Sequence, residues 1–515
     1  MKVEFLCCMR LITGTAPVLF SLIMKVMKVF GFSKNKMAAF CSDGASVFTG
    51  KRNGVGKQLK ETIGSWMVTV HCAAHRCALV MVGASKIVPE LHKVDDLLCS
   101  VAKLFRKSKK EFGLWETYAR ARGITAVKFP KYCQTRWASR SECIKVLMRN
   151  LHILIQFLES RKENRKCSYV LGQLLDIDTL CMLFVLHDIL QILNQLSLKF
   201  QTTGTLPHHV WSSVCTTKKH LKCLICTDDL SSCPALSRFL AELKRKKNGK
   251  IVWKPKPYES GVYLTGVRDD DSLRELINKL INFILLDLTI RFRDCKTITA
   301  FKIFDPAMYA SSMSTLKLLA FGVSEYETLC AHFCGPDKLF VCDEAELQQE
   351  FTRMKRCMYD FLSRGRNRDL EFHDVWKRLA TANGHLFPHM IMLVQVMCVI
   401  PTHTCDVERG FSMHRLIKHR LTSRLRVVTV DSMMRVKLNS RDGLDGIQIS
   451  SVNSAADNLD EVVTPLIKKY FHAVNDLELV DQIVHEVSDA EYDEDGEIRD
   501  EDELDDVTYV DLDEE

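Results

Sequence analysis

The sequence predicts a mixed fold, in which an α/β unit near the N-terminus is followed by a long all-α region. Strands and helices alternate in the N-terminal part, in the order Val3–Cys8, Ala16–Phe30, Met37–Cys41, Lys51–Thr62 and Trp66–Val70. This alternation is typical of an α/β sheet. From about Pro89 to about Leu386, apolar residues instead recur every three or four positions, which indicates packed helices. A chain of 515 residues is long enough to bury a large core in more than one structural unit.

Local signals support the helical assignment. Asp269–Asp271, followed by Ser272 and an apolar run, predict the start of a helix rather than a cluster of metal ligands. The stretch Cys181–Leu196 is very apolar, but it contains His187 and Asp188. We therefore expect it to be a core helix of a globular protein and not a membrane span.

Charge is unevenly distributed along the chain. The formal net charge is +7. Asp489–Glu515 contains sixteen acidic residues and one arginine, so this segment carries −15 and the rest of the chain +22. A basic body with an acidic tail fits a nucleic-acid partner, with the tail competing for the same surface. The alternative is that both features serve only solubility.

The cysteine content indicates a reducing compartment. The sequence has 21 cysteines and no signal-peptide pattern, so we expect free thiols in a protein that is not secreted. The apolar stretch Phe5–Phe30 is interrupted by Arg10, Pro17 and Lys25, so no membrane association is expected there.

Two distant stretches each place an acid where it could bind a metal ion. Met37–Gly50 reads MAAFCSDGASVFTG, in which Asp43 follows a short apolar strand. A carboxylate at a strand end is held rigidly and stays open to a ligand. Pro401–Leu421 reads PTHTCDVERGFSMHRLIKHRL and predicts a helix that carries Glu408 among basic residues. The alternative for Glu408 is a solvated side chain that neutralises its neighbours.

Several motifs follow one another in a recognisable order. They are Asp43, the C-x-x-H pair Cys72 and His75, TRWASR at Thr135–Arg140, and ERGFS at Glu408–Ser412. In this order they resemble the hAT superfamily of DNA transposases, most closely its domesticated, zinc-finger-associated vertebrate members. The resemblance covers about Val3 to about Leu438. It implies an incomplete RNase H-like core, interrupted by a large helical insertion and followed by a C-terminal hAT dimerisation region.

The resemblance and the composition together divide the chain into five segments. They are residues 1–88, the N-terminal part of the RNase H-like core; 89–385, an all-helical insertion; 386–440, the last core helices and the dimerisation region; 441–487, a linker and an amphipathic helix; and 488–515, an acidic disordered tail.

The resemblance also implies a two-metal site built from three acids, two on strands and one on a late helix. Asp43 matches the second of these acids, and Glu408 matches the glutamate on the helix. The first acid is expected on a strand before Val3, so the chain is expected to be truncated at its N-terminus. Glu4 is the only carboxylate before Asp43, and it lies on what resembles the third strand of the core.

Asp43 and Glu408 are therefore predicted to be a vestigial catalytic pair. They would bind Mg²⁺ or Mn²⁺ only if a longer product completed the site. For this chain no cofactor, no strand-transfer activity and no DNA cleavage are expected. The BED-type zinc finger that often precedes this core is also expected to be missing.

Two groups of cysteine and histidine have spacings found in zinc sites. Cys72 and His75 have no second ligand pair nearby, so a packed cysteine beside a hydrogen-bonded histidine is favoured over a metal site. The second group consists of Cys215, Cys223, Cys226 and Cys233. Because buried thiols on helices would give the same pattern, no zinc ligand is predicted.

Two sets of residues are predicted to contact DNA. The first consists of Arg136 and Trp137, since the resemblance places this tryptophan near the active site, where it can stack on an unpaired base. Packing of Trp137 between helices is the alternative. The second set is Lys244, Arg245, Lys246 and Lys247, which we expect on an exposed loop. Contacts of these cations to phosphates would be salt-dependent and blind to sequence.

The segment after Pro401 is unusually apolar for a single layer over a partial sheet. Val407, Phe411, Leu416 and Ile417 are predicted to lie near one face of a helix. A predicted dimerisation surface contains Phe411, Leu416, Leu421, Leu425, Met433 and Met434. The alternative is that this region packs only against the helical insertion.

Together these features predict a transposase-derived protein of the nucleus, or otherwise of the cytoplasm. It would act by dimerisation with itself or with related hAT-derived proteins, and it would contact the DNA backbone non-specifically. No small-molecule cofactor is expected. One alternative is a metal-dependent DNA transposase or nuclease, if a longer product supplies the first acid. Another is a nuclear protein-binding adaptor that does not bind DNA.

Overall fold

The computed structural model describes most of the chain up to residue 439. The described residues are 4–11, 13–132, 137–202, 204–246, 249–255, 261–419, 422 and 424–439. By internal packing the chain divides into residues 1–434 and 435–515. In the second unit the described residues are 435–439, which form the end of a helix.

The N-terminal part contains a two-stranded parallel sheet. Strand β1 (Ala39–Ser42) pairs with strand β2 (Val68–His71). Helices α2 (Ser46–Thr49) and α3 (Val55–Ile63) make the crossover that a parallel pair requires. The elements predicted at Met37–Cys41, Lys51–Thr62 and Trp66–Val70 are confirmed, with their ends shifted by a few residues.

Helix α1 (Ala16–Val29) packs against this unit, and it confirms the helix predicted at Ala16–Phe30. Pro17 lies in its first turn, where the missing N–H leaves no hydrogen bond unmade. Leu19 and Ile23 pack against a buried cluster that includes Val55 and Leu59. One face of α1 is thereby buried against α3.

The strand predicted at Val3–Cys8 is wrong for the residues that the structure describes. Residues 4–11 have no regular secondary structure. Among the described residues, the parallel sheet consists of β1 and β2. The backbone N–H of Cys8 instead donates to the carboxylate of Asp431. An apolar run indicates burial, but it does not supply the partner strand that a β-strand needs.

The middle of the chain is mainly helical. The helices before residue 242 are α4 (Ala73–Ile87), α5 (Glu90–Lys107), α6 (Lys109–Arg120), α7 (Trp137–Arg149), α8 (Leu151–Glu159), α9 (Arg165–Leu175), α10 (Ile177–Gln201), α11 (His209–Lys222) and α12 (Pro234–Ala241). The helices that follow are α13 (Asp270–Phe292), α14 (Lys296–Ala300), α15 (Thr315–Ala320), α16 (Val323–Phe333), α17 (Glu344–Leu362), α18 (Phe372–Asn383) and α19 (Pro388–Val399). Short 3₁₀ segments lie at Lys34–Lys36, Phe301–Phe304, Pro306–Met308, Asn367–Asp369 and Gly384–Leu386. The C-terminal helices are α20 (Cys405–Ile417) and α21 (Val427–Asn439).

Side-chain caps fix several helix starts. The Ser108 hydroxyl accepts a hydrogen bond from the backbone N–H of Glu111 at 3.2 Å. The Asp269 carboxylate accepts from the N–H groups of Asp271 at 3.1 Å and Ser272 at 3.3 Å. The predicted helix start at Asp269–Asp271 is therefore confirmed, and its acids satisfy backbone donors.

Helix α10 is the centre of the helical body. It packs against helices on several sides, namely α4, α5, α7, α9, α11 and α12. By length and composition α10 could cross a membrane, and among the described residues it is the one helix that meets both criteria. Its side chains are mostly buried inside the protein, including Leu183, Leu186 and Leu190. The core helix predicted at Cys181–Leu196 is confirmed.

The predicted all-helical insertion contains a small antiparallel sheet. Strands β3 (Leu243–Arg245), β4 (Ile251–Trp253) and β5 (Val262–Leu264) pair in chain order. The exposed loop predicted for Lys244–Lys247 is therefore wrong for Lys244 and Arg245, which lie on β3, whereas Lys246 follows the strand and Lys247 lies outside the described residues. All three residues of β4 are buried, and Trp253 donates from Nε1 to a Glu242 carboxylate oxygen at 2.9 Å. A buried triplet must pair its backbone groups, and two flanking strands provide the partners.

A buried ion pair lies inside the helical body. Arg140, the last residue of TRWASR, is 1% exposed and donates to Asp95 Oδ2 at 2.7 Å and to Ser85 Oγ at 3.2 Å. Tyr132 donates its hydroxyl to the other Asp95 oxygen at 2.5 Å. The pair joins α7 to α4 and α5, so Arg140 is a structural residue and is not available to DNA.

We expect Arg140→Met to destabilise the fold by about 3–5 kcal/mol, because Asp95 would remain buried without its counter-charge. Urea unfolding followed by circular dichroism measures this change. Arg149→Met is the matched control, since Arg149 lies on the same helix with an exposed side chain. Its effect should stay within about 0.5 kcal/mol. Equal losses of stability for the two variants would contradict a structural role for the pair.

Candidate functional site

The candidate site lies where the two parallel strands end. Ser42, the last residue of β1, is opposite His71, the last residue of β2. The N–H of Cys72 donates to the carbonyl oxygen of Ser42 at 2.8 Å, so the pairing extends one residue beyond the strands. Asp43 follows Ser42 directly, with an exposed side chain whose Oδ1 accepts from the N–H of Ala45 at 3.1 Å. Asp43 is therefore on a tight turn at the carboxyl edge of the sheet.

The start of α20 is bound to the same edge. The N–H of Ala73 donates to the carbonyl oxygen of Thr402 at 3.0 Å. The N–H of Thr404 donates to Cys72 Sγ at 3.4 Å. Thr404 occupies the position before α20, although its side chain makes no capping hydrogen bond. These contacts place the first turn of α20, including the exposed Glu408, beside the end of β2.

Asp43 and Glu408 therefore lie on elements that meet at one edge of the sheet. Both carboxylates are exposed. Glu408 is close enough to the Cys405 thiol to contribute to its raised pKa of about 11, which is due first to burial and then to nearby Cys72. The arrangement fits the predicted pair, and whether it binds metal stays a prediction.

His71 and His75 face the turn that carries Asp43. Their ring centroids are 5.7 Å apart. A Cβ atom on Gly44 would come within 2.8 Å of the His71 ring, so glycine is needed for this close approach. Burial, together with the positive charge of Arg76, lowers the pKa of His71 to about 4. At neutral pH His71 is therefore an uncharged imidazole, and its buried Nε2 has no hydrogen-bond partner among the described residues.

In the C-x-x-H motif, the cysteine is packed as predicted. Cys72 is buried and its sulfur accepts the N–H of Thr404. Cys77 is also buried, and burial raises its pKa to about 12, so its thiol stays protonated. The sulfur of Cys72 thus joins the sheet to the C-terminal region.

Arg76 was not identified from the sequence, yet it fixes the edge to the helical body. Its buried guanidinium donates to the carbonyl oxygens of His71 at 3.2 Å and Arg291 at 2.7 Å, and to Asp294 Oδ1 at 2.5 Å. The same group lies 4.8 Å from the centre of the Phe292 ring. A lone arginine after a histidine motif gives no sign in the sequence of a partner more than 200 residues away.

The predicted DNA-contacting residues are only partly described. Arg136 and Lys247 lie outside the described residues, and Trp137 begins α7 with a side chain that is not described. Lys244, Arg245 and Lys246 are exposed on or beside β3.

Lys246 contacts an exposed aromatic ring. It donates to the hydroxyl of Tyr263 on β5, and its Nζ lies 4.7 Å from the ring centre. That hydrogen bond and the charges of Lys246, Lys250 and Lys254 lower the pKa of Tyr263. The small sheet therefore presents three lysines near an exposed tyrosine, an arrangement suited to a nucleic-acid backbone.

The four candidate zinc cysteines are not brought together as a metal site in the described structure. Cys226 and Cys233 are buried neighbours whose thiols both donate to the carbonyl oxygen of Leu224 at 3.6 Å. Cys223 is exposed, and its thiol donates to the carbonyl oxygen of Lys219 on its own helix. The buried-thiol interpretation accounts for Cys226 and Cys233.

The C-terminal helices expose much of their apolar surface. Val407, Phe411 and Leu416 of α20 are 57%, 62% and 68% exposed, whereas Ile417 is buried. The prediction that these four residues share a face is therefore wrong. Successive residues on a helix are rotated by about 100°. Phe411 and Leu416 therefore lie on opposite flanks of the buried stripe that contains Gly410 and Ile417.

The other predicted dimerisation residues differ in exposure. Met433 is exposed and Leu425 is half-buried, whereas Leu421 lies outside the described residues. Met434 is 3% exposed, so its assignment to an open surface is wrong. It faces the interior because it follows the buried Val430 by one helical turn.

An apolar groove runs beside the Phe411 flank of α20. Its volume is about 860 Å³. It lies between the segment 6–11, helix α1 and the residues 31–37 that follow α1. Its main apolar lining residues are Leu6, Met9, Leu11, Leu19, Leu22, Ile23, Phe32 and Phe411.

One comparison with known proteins bears on the helical body. Residues 123–227 match the family model described as the FAM200/GTF2IRD2 helical domain. The matched part begins at Gly123, shortly after α6, and continues through α7–α11 to Thr227, so it includes the central helix α10. The match is compatible with a transposase-derived protein.

The low pKa of His71 predicts a pH-dependent stability. Between about pH 4 and the ordinary histidine pKa of about 6.5, the unfolded chain binds a proton at this residue and the folded chain does not. Lowering the pH through this window should therefore destabilise the fold. In His71→Gln the unfolding free energy should depend less steeply on pH. The slope should be smaller by up to the equivalent of about one bound proton.

Urea unfolding at several pH values within this window measures that slope. His220→Gln is the control, since His220 is exposed on α11. An unchanged slope in His71→Gln would mean that the His71 imidazole binds a proton equally well in the folded and in the unfolded chain.

Proposed function

We propose that this chain is a transposase-derived protein that acts by self-association through its C-terminal helices. The observation that carries the proposal is the exposed apolar surface of α20 beside the apolar groove. Contiguous apolar surface of this kind usually binds another protein surface. The match of residues 123–227 to the FAM200/GTF2IRD2 helical domain supports a transposase origin.

A second copy of the chain is the occupant that we favour for this surface. Two-fold association brings the same patch of each subunit together, so a protruding Phe411 can enter the groove of its partner, and the reverse. The groove is large enough for several side chains, and Phe411 lies next to the groove on the same chain. Related hAT-derived proteins with the same helices would be alternative partners.

Phe411→Asp should weaken self-association at least about tenfold, because it places a charge in an apolar interface. Leu416→Asp tests the opposite flank of α20. Leu316→Asp is the matched control, since Leu316 is an exposed leucine on α15. Light scattering after size-exclusion chromatography, over a range of protein concentrations, gives the dissociation constants.

We expect a dimer for the unmodified chain and for Leu316→Asp. A monomer for the unmodified chain at all concentrations would refute self-association. A truncation before Pro388 is a poorer test, because α19 contributes the buried Met390, Leu393 and Met397 to the core.

Non-specific contact with the DNA backbone is proposed as a second activity. It is supported by the exposed cations of the β3–β5 sheet and by the +22 charge of the chain outside its acidic tail. Such binding releases counter-ions, so affinity should fall steeply with salt. A protein-binding adaptor that does not bind DNA would lack this dependence.

Replacing Lys244, Arg245 and Lys246 by glutamine should weaken binding to a random-sequence duplex. The slope of log K against log salt should become shallower by about 0.9 for each phosphate that the variant no longer neutralises. The charge-matched control replaces Lys107, Lys109 and Lys110, which are exposed in another basic cluster. Filter binding at several salt concentrations separates the outcomes. Equal effects of the two triple variants would assign binding to net charge rather than to this sheet.

No strand transfer is proposed for this chain, since two acids do not hold a metal pair in the required geometry. The alternative of a metal-dependent nuclease is supported by the position of Asp43 and Glu408 at one sheet edge. It would require a third carboxylate at that edge, supplied by a longer product with Mg²⁺ or Mn²⁺. A nuclear location is proposed on the transposase origin and the basic charge.

A further inference from the structure

A cluster of two histidines and one aspartate lies away from the Asp43 edge. His208 and His209 stand at the start of α11. Asp305 lies between the 3₁₀ segments Phe301–Phe304 and Pro306–Met308, which follow α14. Helices α11 and α14 pack against each other. The cluster therefore joins two parts of the helical body that are almost 100 residues apart in sequence.

The three side chains converge on one point. Asp305 Oδ2 lies 2.8 Å from His208 Nε2 and 3.2 Å from His209 Nε2. One ligand atom from each residue lies within 4.8 Å of the other two. A tetrahedral zinc ion with bonds of about 2.0–2.1 Å separates its ligand atoms by about 3.3 Å. Widening the present distances by a few tenths of an ångström would accommodate the ion.

The second oxygen of Asp305 is bound separately. The Ala307 N–H donates to Asp305 Oδ1 at 2.9 Å. This hydrogen bond orients the carboxylate so that Oδ2 faces the two histidines, and contacts of this kind commonly orient metal ligands.

The three side chains differ in their exposure to solvent. The His208 and Asp305 side chains are 3% and 9% exposed, whereas that of His209 is 44% exposed. The cluster is thus closed on the interior side and reachable from solvent at His209, which gives an ion a path of entry.

We propose that His208, His209 and Asp305 bind one Zn²⁺ ion, with a water molecule in the fourth position on the solvent side. Two imidazole nitrogens and one carboxylate favour zinc over Mg²⁺ or Ca²⁺, which prefer oxygen ligands. The ion would tie the start of α11 to the turn at Asp305. This site is independent of Asp43 and Glu408 and of the association proposed above.

The test uses the full chain stripped of metal, titrated with Zn²⁺ and with Co²⁺ as a spectroscopic probe. The chain should bind one ion at this site, and His209→Gln should lower the affinity at least about tenfold. His220→Gln is the control, because it removes an exposed histidine from the same helix. Asp305→Asn keeps the shape of the side chain and should also abolish binding of the ion.

Cysteines elsewhere in the chain also bind cobalt, but their thiolates give a charge-transfer absorption that nitrogen and oxygen ligands lack. The expected spectrum has tetrahedral cobalt bands without that absorption, and these bands disappear in His209→Gln. Zinc should raise the Tm of the unmodified chain and of His220→Gln, but not of His209→Gln.

Equal zinc affinity of His209→Gln and His220→Gln would overturn the proposal. A cobalt spectrum dominated by thiolate absorption, absent in Cys226→Ser and retained in His209→Gln, would also overturn it. Because His209 is partly exposed, its substitution should leave the metal-free fold intact, and circular dichroism checks this.

Discussion

The hydrogen bonds between residues 402–404 and the residues that follow β2 join the C-terminal helices to the edge of the sheet. Ala73 N–H donates to Thr402, and Thr404 N–H donates to the sulfur of Cys72, a residue 332 positions earlier. These hydrogen bonds position the start of α20 at the sheet edge, while the buried Gly410 and Ile417 and a hydrogen bond from Arg409 to the carbonyl oxygen of Gln201 attach the helix further along. A two-stranded sheet is too small to be stable alone. Its stability therefore depends on the helices that pack around it.

The helical body gives this edge its rigidity. The core continues from the sheet through α4 into the helices around α10, so one hydrophobic cluster includes Val70, Val80 and Leu186. Arg76 adds a polar connection from the edge to the end of α13. Cavity and strain costs make such a core resistant to displacement. The large core of the helical body therefore holds the exposed end of β1 and the start of α20 in position.

The same packing explains which apolar residues remain outside. Helix α20 contacts the body through a narrow stripe that contains Gly410 and Ile417, and this leaves Phe411 and Leu416 on either side. Helix α1 packs against α3 and also lines the groove, and Leu19 and Ile23 contribute to both. Each of the two helices thus leaves part of its apolar surface uncovered within one chain. The proposed association follows from this unused surface, whereas the acids at the sheet edge contribute nothing to it.

Helical periodicity, the strand–helix–strand order around Asp43 and the start of the helix after Asp269 could be predicted from the sequence, because each depends on neighbouring residues. It did not reveal the β3–β5 sheet, whose strands are too short to show a period. It could not identify Arg76 or the group of His208, His209 and Asp305, because their partners are distant in sequence. Which acids, histidines and apolar side chains meet is set by the packing of segments that are far apart in the sequence, so it could be read only from the folded structure.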